Sequence, residues 1–68
     1  MKAVSGKRLC RLLENNSWKL MRINGSHHIY AKKGNVARIS VPVHGNKVLK
    51  VGIQRHLMKL AGIDEKDL

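Results

Sequence analysis

The first hydrophobic stretch of the chain has the spacing of an amphipathic helix. Leu9, Leu12 and Leu13 recur three or four positions apart, which places them on one helical face. Ser5 stands where an N-cap residue is expected, because its hydroxyl can accept a hydrogen bond from the first turn of a helix. The Asn-Asn-Ser sequence at 15–17 is typical of a turn. The pattern therefore predicts a helix over residues 6–15.

Three segments rich in strand-forming residues follow, separated by short turns. They cover Trp18 to Ile23, His27 to Lys32, and Val36 to Val41. Asn24-Gly25, between the first two, is a favoured hairpin dipeptide. In the third segment the apolar residues at 37, 39 and 41 alternate with polar ones, as expected of a strand with one buried face. Pro42 has no N–H to donate and is expected to end that strand.

The last part of the chain predicts a loop over 43–49 and a second helix over residues 50–61. Ile53, Leu57 and Leu60 form one helical stripe, which we expect to face the core. Gly62 stands where a glycine commonly ends a helix. We therefore expect a single domain over residues 1–68 with an α+β fold. It is a two-layer α-β-β-β-α sandwich, in which two helices cover one face of a three-stranded antiparallel sheet.

The charge balance points to an anionic partner. Fourteen Lys and Arg against four Asp and Glu give a formal net charge of +10 at pH 7. Nucleic acid is the leading candidate, followed by an acidic protein and then a membrane surface. No apolar run approaches the roughly 18–20 residues needed to span a membrane, and the N-terminus offers no signal-peptide core. We expect a soluble, cytoplasmic protein that does not bind a membrane.

The positions of the carboxylates and cysteine limit the chemistry. No Asp or Glu lies between Glu14 and Asp64. The predicted strands therefore cannot supply the carboxylate cluster of a two-metal nuclease or the facing pair of a glycosidase. Cys10 is alone and, among leucines, is expected to be a core residue. The histidines lack the spacing of a metal site, so we expect no metal and no cofactor; they are His27, His28, His44 and His56.

Acid–base chemistry by histidine remains. RNA carries its own nucleophile, the 2′-hydroxyl, so a ribonuclease needs only a base, an acid and cations near the phosphate. Gly25-Ser26-His27-His28 places two imidazoles directly after the predicted hairpin turn. Neighbouring strand residues face opposite sides of a sheet, so the two rings cannot line one site. If the following isoleucine is a core residue, His27 lies at the edge of the core face, beneath the helices. Periodicity alone does not choose between the two rings.

Three sequence blocks stand in the order found in a known toxin family. They are Gly25 to Tyr30, with its Gly-Ser-His-His sequence; Ile39 to Lys47, with Pro42 and His44; and Leu57 to Ile63, ending in Ala-Gly-Ile. Together they resemble the HicA (YcfA-like) toxins over nearly the whole chain. The resemblance implies a fold similar to a double-stranded-RNA-binding domain. It also implies a metal-independent mRNA interferase, the toxin of a type II toxin–antitoxin system, held inactive by a HicB-type antitoxin.

The same resemblance suggests roles for individual residues. The family's essential histidine falls on His27, and Gly25 and Ser26 match the two preceding motif positions. Ser26 either positions a phosphate or only shapes the turn. His44 either supplies the second proton-transfer group or is a loop residue that binds phosphate or nothing. His56 is expected to be a solvated or packing residue.

Four basic residues are candidates for binding RNA phosphates, with an ordinary solvated face as the alternative: Lys47, Lys50, Arg22 and Arg38. The two lysines lie near the start of the second helix, where backbone N–H groups already favour a phosphate. Trp18 and Tyr30 are the only aromatic residues, and at least Trp18 is expected in the core. Without a stacking platform, sequence recognition should be loose.

Two other functions compete with the ribonuclease. The main alternative is a non-catalytic RNA-binding module that uses the same basic surface. A DNA-binding domain ranks third, because no helix-turn-helix spacing is present. If the chain is a toxin, its inhibitor should be acidic or should cover the catalytic histidine.

Overall fold

The computed structural model describes residues 1–68 and has the predicted α-β-β-β-α order. The elements are α1 (Gly6–Asn15), β1 (Lys19–Asn24), β2 (His27–Lys32), β3 (Asn35–Pro42) and α2 (Val51–Ala61), followed by a 3₁₀ turn at Glu65–Asp67. Each boundary lies within one residue of the prediction, and the α+β class is confirmed. Neither helix combines the length and the apolar character that a membrane crossing requires.

The three strands form one antiparallel sheet in the order β1-β2-β3. A tight turn joins β1 to β2, and Gly25 occupies it with a φ of +63°, a conformation that favours glycine. His27, the first residue of β2, pairs with Asn24 of β1 and with Pro42 of β3. An extra residue in β1, Met21, interrupts the register between Leu20 and Arg22 as a β-bulge. The hairpin thus places His27 in the middle strand of the sheet.

Both helices pack on the same face of the sheet, where they form a single core. Tyr30, Ile39 and Val41 point from the strands into this core and are almost completely buried. Leu9 and Leu13 of α1 meet them there and are also fully buried. Trp18 is 3% exposed, which confirms its predicted core position. The opposite face of the sheet, called the open face below, carries no helix.

The orientation of α2 differs from the prediction. Ile53 and Leu60 are 41% and 40% exposed, so the expected core stripe of Ile53, Leu57 and Leu60 is wrong for two of its three members. The residues that α2 buries are Gln54, Leu57, Met58 and Ala61. The reason is Gln54, whose amide binds the N-terminal segment. It accepts from the Val4 N–H at 3.0 Å and donates to the Lys2 carbonyl at 2.7 Å, so the oxygen and the nitrogen of the buried Gln54 amide are both satisfied.

The N-terminus of α1 touches the end of β3. Gly6 is buried, and a Cβ added to it would lie 2.0 Å from the Pro42 carbonyl oxygen. Only glycine allows the helix backbone to come this close to the strand. Ser5 caps the helix as predicted, since its hydroxyl accepts from the Arg8 N–H at 3.0 Å. Since Pro42 pairs with His27, this contact also helps to fix the strand end beside that histidine.

Candidate active site

The structure separates the two neighbouring histidines. Tyr30 of β2 is buried beneath the helices, so His28, two residues away, points to the helix side of the sheet. His27 and Ile29 therefore face the open side, where His27 is exposed. The possibility that His27 lies beneath the helices depended on Ile29 being a core residue. Ile29 is only half-buried and lies on the open face.

His27 is held by a single hydrogen-bond partner from the adjacent strand. Its Nδ1 lies 3.1 Å from the hydroxyl oxygen of Ser40 on β3. Nε2, the other ring nitrogen, has no hydrogen-bond partner in the protein and faces solvent. A ring fixed through one nitrogen and free at the other is suited to proton transfer at the free nitrogen.

Sequence reasoning did not identify Ser40. Its alternation with Ile39 and Val41 indicated the polar face of β3. The contact with His27 depends on the register between β2 and β3, in which Ser40 pairs with Ile29. No local sequence pattern specifies that register, so only the sheet itself reveals the pair.

Gly25 and Ser26 shape the turn that presents His27. The Ser26 carbonyl accepts a hydrogen bond from the Val43 N–H at 2.8 Å, which ties the β1–β2 turn to the loop after β3. The Ser26 hydroxyl makes no hydrogen bond within the protein, and the residue is half-buried. Ser26 therefore has an observed backbone role, and its hydroxyl is free for a ligand.

A groove lies on the other side of Pro42 from the Ser40 contact. It has a volume of about 200 Å³ and is lined by Pro42, His44, Lys47, Val48, Leu49, Lys50 and Ile53. Three of the predicted site residues therefore share one surface depression: His44, Lys47 and Lys50. Lys50 is the N-cap residue of α2 and makes no side-chain capping bond, so the first N–H groups of the helix lack a cap.

The two predicted arginines lie on the open face, in the opposite direction along the strands. Arg22 and Arg38 border a hollow together with Met21 and Ile29. Arg22 pairs with Ile29, and Arg38 pairs with Ala31, so both lie further along β2 than His27. The arginines and the lysines thus flank His27 from two sides.

None of the four carboxylates belongs to a strand. Glu14, at the end of α1, accepts a 2.6 Å hydrogen bond from the Tyr30 hydroxyl on the helix side. Asp64 and Asp67 cap the final 3₁₀ turn, and Glu65 lies 3.6 Å from the N-terminal amine. The open face therefore presents cations and His27 without any acidic side chain of its own strands.

The helix side holds a second cluster of polar groups, around Cys10. Burial raises the pKa of the Cys10 thiol, and the charge of Glu14 acts in the same direction, against an opposing hydrogen bond from Tyr30. Burial and its hydrogen bond to Glu14 raise the pKa of Tyr30 well above its usual range. Both groups stay protonated at neutral pH, so Cys10 is the inert core residue that was predicted.

His56 is exposed on α2 and belongs to neither cluster. No group of three or more His, Cys, Asp or Glu side chains lies close enough together to hold a metal ion.

Comparison with known protein families identifies a related family. A family model described as the HicA toxin of bacterial toxin–antitoxin systems matches residues 6–63, from the start of α1 to just beyond α2. The matched range includes His27, Ser40 and the groove beside Pro42. A search of curated proteins gives no match.

Proposed function

The chain belongs to the HicA family of toxins from bacterial toxin–antitoxin systems, and from this premise we propose that it is a metal-independent endoribonuclease that cleaves mRNA. Membership confirms the family resemblance noted in the sequence and implies an antitoxin partner. We propose that this partner is of the HicB type and that the toxin acts in the cytoplasm, where mRNA is found.

One observation carries the proposal: His27 lies exposed on the open face, held by Ser40 through Nδ1 and free at Nε2. Two groups of basic side chains flank it, and no strand carries a carboxylate. A phosphodiester can therefore approach the ring without repulsion from these strands. This is the environment that transfer of a proton from an RNA hydroxyl requires.

The proposed reaction uses the substrate's own hydroxyl as the nucleophile. Nε2 of His27 takes the proton of the 2′-hydroxyl, and the 2′-oxygen forms a bond to the adjacent phosphorus. The bond from phosphorus to the 5′-oxygen of the next nucleotide breaks, and that oxygen takes up a proton. The products are a 2′,3′-cyclic phosphate and a 5′-hydroxyl. His44 is the candidate for the group that protonates the leaving oxygen, because it lies in the groove beyond Pro42.

The basic side chains stabilise the negative charge that accumulates on the phosphate in the transition state. Arg22 and Arg38 bind the RNA backbone on one side of His27, and Lys47 and Lys50 bind it on the other. The uncapped start of α2 adds backbone N–H groups that favour a phosphate at the same end. Ser26 presents its free hydroxyl close to the catalytic histidine and is a candidate for a further phosphate contact.

Ser40 positions the ring in this scheme. A neutral imidazole has one N–H and one lone pair, so a proton on Nδ1 that is donated to Ser40 leaves the lone pair on Nε2. The serine oxygen can still accept from Nδ1 after Nε2 has gained its proton. The same hydrogen bond is thus compatible with the ring before and after proton transfer.

We expect Ser40→Val to lower kcat about fivefold with little change in KM, which corresponds to the loss of one hydrogen bond of about 1 kcal/mol. Ser40→Thr has nearly the same shape as the valine variant and keeps the hydroxyl, so it should cleave almost as fast as the wild type. Single-turnover cleavage measures the rates, and ¹⁵N shifts of the His27 ring report which nitrogen carries the hydrogen. Equal losses in both variants would contradict a positioning role for the hydroxyl.

Cleavage of single-stranded RNA in excess EDTA tests the proposed function. We expect cleavage that leaves 2′,3′-cyclic phosphate ends, and binding without cleavage for the same sequence made of 2′-deoxynucleotides. Cleavage of the deoxy strand would contradict attack by the 2′-hydroxyl. Loss of activity in EDTA, restored by a divalent cation, would contradict the metal-independent mechanism. Binding of RNA without any cleavage would identify a non-catalytic RNA-binding module.

A further inference from the structure

The groove beside Pro42 combines an apolar floor with a basic rim. Val48 and Ile53 are exposed to 56% and 41%, and Leu49 lies beneath them, almost completely buried. Lys47 and Lys50 border the same depression. We propose that this groove is a subsite for one unstacked nucleobase of the RNA, next to the phosphate that His27 attacks. The inference rests on the proposed ribonuclease function and adds a determinant of base selection to it.

The floor of the groove is preformed. Val48 makes a β-bridge with Ser5, and the Leu49 N–H donates to the Val4 carbonyl at 2.9 Å. These contacts fix the segment before α2 against the N-terminal residues, which Gln54 holds in turn. A rigid concave surface loses little conformational entropy when a ligand enters. Little of the binding free energy is therefore spent on ordering the groove.

The lining matches the two parts of a nucleotide. A nucleobase offers an apolar, flat face, which can leave water by contacting Val48, Ile53 and the ring of Pro42. The attached phosphates carry negative charge, which Lys47 and Lys50 complement at the rim. No acidic residue lines the groove, so nothing in it repels the backbone of an RNA strand.

Two depressions near His27 can take part of an RNA strand: the groove beside Pro42 and the hollow at Arg22 and Arg38. Trp18 and Tyr30 are buried and cannot stack on RNA. The hollow is bordered by two guanidinium groups, whose planar donors suit the phosphates of the backbone. Because sequence-specific binding of single-stranded RNA depends on unstacked bases, the groove should select at one nucleotide and leave other positions free.

The location of the groove sets its distance from the reaction. Pro42 lines the groove and pairs directly with His27 in the sheet. A base in the groove therefore belongs to a nucleotide at or next to the scissile phosphate. Selection in the groove thus acts on the bond that is cut.

Abasic scanning tests the proposal. One RNA of fixed sequence is prepared with a single abasic site at each position in turn, so that every phosphate and 2′-hydroxyl is kept. We expect the wild type to cleave one of these RNAs about tenfold more slowly than the intact strand, the lower end of what one small apolar contact in a pocket contributes. For Ile53→Ala the same abasic site should cost about threefold or less, because one of the three apolar contacts with the base is already lost.

Val51→Ala is the matched control. Val51 is 61% exposed in the same first turn of α2 but does not line the groove, so this variant should keep the full abasic effect.

If the wild type is active but no abasic site slows its cleavage, the base subsite is overturned and the proposed function stands. An Ile53→Ala variant that keeps the full abasic effect would also overturn it, and weaker antitoxin binding by that variant would assign the groove to the protein partner. Absence of cleavage by the wild type on any RNA would instead contradict the proposed function. Binding of the abasic RNAs would then test the groove separately.

Discussion

His27→Ala should lower the rate of RNA cleavage by about 10²- to 10⁴-fold, the range that a positioned acid–base group supplies. The ring is exposed on the open face, and its only hydrogen bond is to Ser40. Its removal should therefore change the free energy of unfolding by less than about 0.5 kcal/mol. RNA affinity should also persist, because the flanking arginines and lysines remain. Single-turnover cleavage, thermal melting and a binding titration with a 2′-deoxy strand measure the three quantities.

His28→Ala is the natural control for this prediction. His28 is half-buried on the other side of the same strand, in the depression beside Cys10 and Tyr30. The substitution should leave the cleavage rate within a few-fold of the wild type. If His28→Ala abolishes cleavage while His27→Ala cleaves normally, the site lies on the helix side of the sheet. If both variants cleave normally, neither ring is the catalyst.

Gly6→Ala should be among the most destabilising small substitutions in the chain. The added Cβ would lie 2.0 Å from the Pro42 carbonyl oxygen, and both atoms belong to or adjoin backbone that cannot rotate away. Overpacking of this kind costs about 1–3 kcal/mol. In a domain of this size each kcal/mol lowers Tm by about 4–8 °C, so we expect a fall between about 4 and 24 °C. Thermal unfolding followed by circular dichroism measures the effect.

Gly52→Ala provides the comparison, because this helical glycine has no atom within 4 Å of an added Cβ. Alanine is the better helix former, so Tm should be unchanged or raised, by up to about 1 kcal/mol in stability. A Gly6→Ala protein that melts with the wild type would show that α1 does not approach β3 as closely as described. Equal losses in the two variants would show that the effect is not specific to that contact.

The order of elements could be predicted from the sequence because each boundary has a local chemical cause. Ser5 caps α1 through its hydroxyl. The β1–β2 turn is formed by Gly25 and Ser26, one residue later than the predicted Asn24-Gly25, because Asn24 pairs with His27 as the last residue of β1. Gly62 ends α2 with a φ of +70°. These residues act on their immediate neighbours, so a short stretch of chain contains all the information they need.

Which face of β2 and which face of α2 is buried could not be predicted from such local signals. Ile29 and Tyr30 are both good strand residues, and Tyr30 is the one that lies in the core, where its hydroxyl donates to Glu14, 16 positions away. Gln54 points into the core because its partners are backbone groups of Lys2 and Val4, about fifty positions away. Hydrophobicity alone favours Ile53 in that position, and tertiary hydrogen bonding overrides it.

The residues of the candidate site also fall into two groups, those that the sequence identifies and those that only the fold identifies. The Gly-Ser-His sequence and its family resemblance were sufficient to single out His27, and the basic residues were visible in composition. Ser40 and the apolar floor of the groove were not, because they meet His27 and Lys47 through strand register and through the bridge between Ser5 and Val48. The sequence thus identifies residues with distinctive chemistry, such as His27. Only the fold identifies common residues, such as Ser40, that lie beside them.

The open face of the sheet, which carries no helix, has an evolutionary consequence. The helices stabilise the protein from one side, while His27, Arg22 and Arg38 lie on the other, outside the core. Activity is therefore easier to lose than the fold. On the proposed mechanism, single substitutions on the open face should therefore leave an intact but inert protein. Such a protein should still display most of its native surface and continue to bind a partner that recognises the remainder.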